Sequence, residues 1–193
     1  MEWGTANPTP WLASPIGSER DSTVGAWRIA RAILPLPFTA TVVVPAVLLL
    51  AGGGQSRWEG GALIDVLAVL VGGALILAGL ALFVSTVRLF AGAGQGTLAP
   101  WDPPTKLVVA GPYRHLRHPM ITGVACVLAG EALVFGSTGL ATWLAIFVAV
   151  NAIYLPAVEE PRLVRRFGED YRQYMKRVPR WLPRRSRAVS RIP

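Results

Sequence analysis

The stretch ALIDVLAVLVGGALILAGLALFVSTVRLF, Ala62 to Phe90, decides the fold. Its only charges are Asp65 and Arg88, with 22 uncharged residues between them. As a helix rising about 1.5 Å per residue, that run crosses the roughly 30 Å hydrocarbon core of a bilayer. Gly72, Gly73 and Gly79, with Ala68 and Ala78, predict small-residue faces against which another helix packs closely.

Three further apolar runs flank it, over about 30–51, 119–136 and 139–157. Pro35, Pro37 and Pro45 predict kinks in the first, which neighbouring helices tolerate within a membrane. Pro119 suits the first turn of the third, because its missing N–H would be unpaired there anyway. Over the whole chain 52% of residues are hydrophobic and 16% charged, against roughly 25% charged in soluble domains. The fold expected is an all-α membrane bundle of about four transmembrane helices, with a cap over one end and a C-terminal amphipathic helix.

Charge sets the expected orientation. Three Lys or Arg precede the first run, one lies in the first connection, four in the second and none in the third, and eleven follow Glu159. Cationic and cation-poor connections alternate, as the positive-inside rule requires. Both termini and the 91–118 connection are therefore expected in the cytoplasm, the protein lying in the inner or plasma membrane. The expected organisation is a polar tail over 1–25, a membrane domain over 26–178 and a basic tail over 179–193. The late, long first run predicts a retained anchor rather than a cleaved signal. Beside several spans, anionic lipid headgroups account for the basic tail better than nucleic acid does. A lone Cys126 in an apolar run excludes a disulfide framework and reads as a small buried hydrophobe.

The 91–118 connection carries both histidines, in GPYRHLRHPM (Gly111 to Met120). Its glycines and prolines forbid one continuous helix, while Trp101, Leu107, Val108, Val109 and Tyr113 give it apolar surface for packing as a lid. Arg114, His115, Arg117 and His118 place cations and donors before a helix start, itself an anion site. Glu159 and Glu160 end the last apolar run, where carboxylates are costly unless paired or functional. They either take polar groups of a ligand or pair with Arg114 or Arg117. His118 reads as a general base or a metal ligand, and His115 as a surface residue. Two histidines three apart make a poor metal signal, and no metal is expected. Glu131 and Asp65 are each a substrate-path residue or a paired structural charge, and Asn151 is expected to bond helix to helix. Over 158–178, Val164, Phe167, Tyr171 and Tyr174 recur every three or four residues among arginines, a basic amphipathic helix suited to a membrane surface. Gly168 weakens it, and Pro179 and Pro183 end it.

LVVAGPYRHLRHPM and, some forty residues on, EEPRLVRRFGEDYRQYMKRVPRWLP together resemble the isoprenylcysteine carboxyl methyltransferase and phospholipid methyltransferase family of membrane enzymes. The shared positions are Gly111, Tyr113, Arg117, His118 and Pro119, then Glu159, Glu160, Leu163, Phe167, Gly168, Tyr171, Tyr174, Val178 and Pro179. The resemblance implies methyl transfer from S-adenosylmethionine, leaving S-adenosylhomocysteine, to a lipophilic or prenylated acceptor arriving from the bilayer. A phospholipid or other lipid amine is the alternative acceptor, and a non-catalytic ligand-binding module the alternative role. Cofactor contacts implied are Thr105, Lys106, Leu107, Val108, Tyr113, His118, Pro119, Met120, Ile121 and Glu159. Glu159, Glu160 and His118 are the implied acid–base residues, and Arg162 and Glu131 the candidates on the acceptor side. Two positions depart from the family pattern. Ile121 stands where the family has tyrosine, and Leu155 where it has an arginine on the acceptor side.

Overall fold

A computed structural model describes residues 35–52, 61–93, 107 and 109–181. All regular structure among them is helical. Helix α1 runs over Pro35–Ala51 and α2 over Ala62–Ala93. A 3₁₀ turn, Gly111–Arg114, leads to α3, Pro119–Phe135. Helix α4 is Thr138–Tyr154, and a π turn, Leu155–Glu159, joins it to α5, Glu160–Arg177.

By length and composition two helical stretches among the described residues suffice to cross a membrane, Ala62–Leu89 and the one that begins at Thr138. The apolar part of the second ends at Val158, and the charged α5 lies beyond it. The apolar helices α1 and α3 have 17 residues each, the short end of the spanning range. Residues 30–34, expected in the first span, lie outside the described residues, as do 94–106 and 108 of the expected lid.

The two sides of α2 show what surrounds the bundle. Leu63, Leu70 and Leu77 are 72%, 63% and 70% exposed. Gly72, Gly79 and Thr86 follow at the same spacing, nine residues on, and are buried. Nine residues are two and a half turns, so the two rows lie on opposite sides. A row of leucines facing outward suits lipid rather than water.

The buried row meets α3. A Cβ on Gly79 would stand 2.5 Å from the Gly123 carbonyl oxygen, and one on Gly72 2.7 Å from that of Gly130. The reciprocal positions are as tight, so backbone touches backbone at two points seven residues apart on each helix. The helices run antiparallel, Gly72 to Gly130 and Gly79 to Gly123. Gly73 was also expected on such a face, but a Cβ there would meet nothing within 4 Å, and Ala78 is exposed. The spacing of seven selects Gly72 and Gly79 and leaves their neighbours outside the seam.

Gly136, at φ 58°, caps the end of α3 in the left-handed conformation, and the Ser137 hydroxyl accepts from Leu140 N–H to start α4. Trp143 ties α4 to α1 by donating to the Ala40 carbonyl at 3.0 Å. Asn151, expected to bond helix to helix, instead donates to the Phe147 carbonyl one turn back on its own helix, at 2.8 Å. The kink expected from the prolines of α1 is a π turn, Thr39–Val43, just before Pro45. A proline ring crowds the carbonyl four residues back, and widening the turn relieves that crowding.

Candidate functional site

The site begins where one helix ends and another starts. Pro156 stands in the π turn that separates α4 from α5, Glu159 is the last residue of that turn and Glu160 the first of α5. On the other side, His118 is the residue before α3, with φ −126° and ψ 64°, and no side chain among the described residues caps that helix start. The first amides of α3 thus lack intrahelical partners.

Arg117 and His118 bring these ends together. His118 is 6% exposed, and its Nδ1 stands 3.4 Å from Glu159 Oε1. Its Nε2 is 3.8 Å from Glu160 Oε1, too far for a hydrogen bond. Arg117 donates from a terminal nitrogen to Glu160 Oε1 at 2.9 Å, and from Nε to the Val178 carbonyl at 2.7 Å. Its backbone N–H donates to the Pro179 carbonyl at 3.0 Å. The two glutamates therefore have different surroundings. Glu159 has a side chain 36% exposed, whereas that of Glu160 is 10% exposed.

Arg180 completes the cage around Glu160. It donates from Nε to Oε1 at 2.9 Å and from Nη2 to Oε2 at 2.8 Å, a two-bond grip. Burial works against the charge of Glu160, but the Arg180 hydrogen bond and the charges of Arg117, Arg180 and His118 outweigh it and hold the carboxyl below its ordinary range. The same hydrogen bond raises the Arg180 guanidinium. Arg180 lies in the stretch expected to be a basic tail, and no sequence signal distinguishes it from its neighbouring arginines. Of the two arginines expected to meet the glutamates, Arg117 does so, whereas Arg114 is exposed.

Gly168 makes this return possible. At φ 59° and ψ −130° it interrupts α5, a conformation that side-chain-bearing residues avoid. The chain beyond it lays Tyr171, Tyr174 and Val178 against Leu107 and Val109. Of the apolar stripe expected to face a membrane surface, Tyr171 and Tyr174 are buried and Val164 and Phe167 half-buried in this cluster. The Tyr174 hydroxyl donates to the Tyr113 carbonyl at 2.7 Å and lies 3.3 Å from that of Leu116, capping the 3₁₀ turn. Burial pushes the half-buried Tyr113 phenol far above its usual value, with the Tyr174 phenol and the Glu159 carboxylate adding to the effect. His118 thus lies beside Glu159, and Tyr113 beside Tyr174.

The remaining candidates divide. Leu107 packs against the cluster of Tyr171, Tyr174 and Val178, Pro119 is buried, and Met120 and Ile121 are half-buried in the first turn of α3. Thr105, Lys106 and Val108 lie outside the described residues. Arg162 is exposed. Glu131 sits twelve residues along α3 from Pro119, about 18 Å away along the axis, and is not joined to the cluster. Its Oε2 is buried without a hydrogen-bond partner among the described residues.

These features define an integral membrane helical protein whose polar cluster lies where the residues just before α3 meet the end of the last apolar helix. Residues 67–170 match the phospholipid methyltransferase family, and the chain belongs to it, within the group of membrane methyltransferases that includes isoprenylcysteine carboxyl methyltransferase-like enzymes. No curated protein matches the chain.

Proposed function

We propose that this protein transfers a methyl group from S-adenosylmethionine to a lipophilic acceptor, at a site opening to the cytoplasm, in a bundle of four spans. The observation that carries the reading is the meeting of His118 with Glu159, 3.4 Å apart across forty residues of sequence. The cofactor supplies a methyl group made electrophilic by the adjoining sulfonium. The residues present fit such a molecule. They offer a half-exposed carboxylate on Glu159, a buried His118 Nε2 without a hydrogen-bond partner among the described residues, and uncapped amides at the start of α3. Tyr113 offers a ring face to a cation, an attraction of about 0.5–2 kcal/mol. Leu107 and, by motif position, Thr105, Lys106 and Val108 would line the nucleoside side.

Glu160 has a different part. Guanidinium groups occupy both its oxygens, so it holds Arg117 and Arg180 in place rather than moving a proton. Glu159 and His118 remain as the groups able to receive one. A carboxylate acceptor needs no base, since in-line displacement depends on positioning and on exclusion of water. An amine acceptor must lose a proton, and Glu159 with His118 would take it.

The acceptor is either a carboxyl group of prenylcysteine type or a lipid amine, reaching the site beside the lipid-facing sides of α2 and α4. One observation favours the amine. Leu155, where the isoprenylcysteine enzymes are expected to carry an arginine, is fully buried and supplies no cation for a carboxylate.

Calorimetry on detergent-solubilised protein tests the donor. S-adenosylhomocysteine should bind in roughly the micromolar range, and Glu159→Ala and Tyr113→Ala should each weaken it about ten-fold. No binding by the parent, or binding by both variants as tight as the parent's, refutes the reading. Radiolabelled S-adenosylmethionine with membrane extract then identifies the acceptor, a base-labile ester marking a carboxyl group and a base-stable product an amine.

A further inference from the structure

Up to Gly168, helix α5 has two unlike faces. Leu163, Val164 and Phe167 pack against the cluster of Tyr171, Tyr174 and Val178. Arg162, Arg165 and Arg166 are exposed. At roughly 100° per residue the three arginines share one sector of the helix, and the three apolar residues lie on the other side. Glu160 also lies opposite the arginines, turned toward Arg117 and Arg180. Arg162, a candidate on the acceptor side, therefore faces away from Glu160.

The place of these arginines along the helix is specific. The apolar run ends at Val158, and Arg162 and Arg166 lie four and eight residues beyond it. Those separations are about 6 and 12 Å along the axis. The headgroup layer outside a bilayer's hydrocarbon is roughly 5–7 Å thick on each side, and an arginine stem reaches back toward it. Direction around the helix agrees. Val150, Ile153 and Tyr154 are exposed on α4. Arg162, Arg165 and Arg166 follow them in the same order, each twelve residues on. The π turn between inserts one residue, so the separation amounts to about eleven helical steps, close to three full turns. The lipid-facing side of α4 thus runs directly into the three arginines.

Charge identifies the occupant. Residues 161–168 contain no acid. Neither Arg162 nor Arg165 has an ion-pair partner among the described residues. Arg165 uses only its Nε, which donates to the Pro161 carbonyl at 3.4 Å, and Arg166 lies over the Phe167 ring at 5.6 Å. Beyond Gly168 the pattern changes, since Glu169 and Asp170 intervene and Arg172 stands 3.5 Å from Glu169. Guanidinium forks match phosphate oxygens. A zwitterionic headgroup would bring its own ammonium against three cations, whereas an anionic headgroup brings only opposite charge. We propose that Arg162, Arg165 and Arg166 form a docking surface for anionic phospholipid headgroups, at the end of the bundle that carries the His118–Glu159 pair. The helix thus meets the membrane with its arginine face, not with the apolar stripe. This surface is independent of the methyl-donor reading.

Native mass spectrometry of the full-length protein in neutral detergent tests it, with phosphatidylglycerol and phosphatidylcholine of the same acyl chains titrated in turn. Each basic residue beside an anionic headgroup is worth roughly five-fold in affinity. The parent should therefore bind phosphatidylglycerol at least about ten-fold more tightly than phosphatidylcholine. The triple variant Arg162→Gln, Arg165→Gln, Arg166→Gln should lose that preference, keep phosphatidylcholine within about two-fold, and melt at the parent's temperature. Should the triple variant not fold, Arg162→Gln alone should still weaken phosphatidylglycerol roughly five-fold. Arg172→Gln, on the far side of Gly168, should change neither lipid. No preference in the parent, or a preference kept by the glutamine variants, overturns the proposal and moves lipid contact to other cations. Displacement of phosphatidylglycerol by inorganic phosphate, beyond that by chloride of equal ionic strength, overturns it too, since the surface would then be a site for free phosphate.

Discussion

Two joints hold this protein together, and they work by opposite means. Along the α2–α3 seam the contact is backbone on backbone, at Gly72 with Gly130 and Gly79 with Gly123. At the lid the contact is charge on charge, with Arg117 and Arg180 around Glu160. Lipid tails are as apolar as leucine, so helices in a bilayer gain mainly from close fit, which glycine permits. At the polar end water is near, and a buried carboxylate is tolerated because two guanidiniums surround it. The seam is a steric joint that salt and pH leave alone, and the joint at Glu160 is an electrostatic one that acid weakens.

The hardest blow to the steric joint is Gly79→Leu. A side chain there meets the Gly123 carbonyl and Val127 on backbone that has no room to yield. A loss of about 3 kcal/mol or more is expected, read as a collapsed melting temperature and aggregation in size-exclusion chromatography. At the electrostatic joint, Glu160→Ala strands two guanidiniums. Breaking a fully buried pair costs roughly 3–5 kcal/mol, and because the Arg180 side chain is 31% exposed about 2–3 kcal/mol is expected here. Thermal unfolding measures the loss.

Acid distinguishes the joints without mutation. The carboxyl of Glu160 is held below its ordinary 4.5. A lowered value means that the folded state binds its proton less readily than the unfolded chain. Its stabilisation is complete above pH 4.5 and is lost as pH falls through the lowered value. The parent's melting temperature should therefore fall below that pH, while Gly79→Leu and its parent differ by the same amount at every pH. The smallest effect belongs to Gly73→Ala. With nothing within 4 Å of that position, its melting temperature should stay near the parent's, within about 0.5 kcal/mol. A large effect there would mean that the seam is not confined to one row.

The two joints are legible in the sequence to different degrees. Glycines at the centre of an apolar run announce a close helix contact, because local spacing alone controls which side of a helix they share. Composition groups Gly73 with Gly72, and only the register of the facing helix separates them. The electrostatic joint is half legible. Arg117, His118, Glu159 and Glu160 stand out as charges at the ends of apolar runs. Arg180 does not, being one arginine among eleven late cations. Its selection depends on Gly168, whose left-handed backbone turns the chain back onto the lid. Tyr171 is visible only as part of an apolar stripe, since periodicity identifies the buried ring and says nothing of where its hydroxyl finds a partner.

Hydropathy, helix spacing and the alternation of charge reside in neighbouring residues, so the sequence alone determined that this is a helical membrane protein with a polar site at the end of its last apolar run. Which glycines touch, which glutamate is caged and which stays open are matters of contact between segments twenty or more residues apart. Those were decided only when the helices packed, because the free energy of each contact depends on distances of a few ångströms that no local pattern encodes.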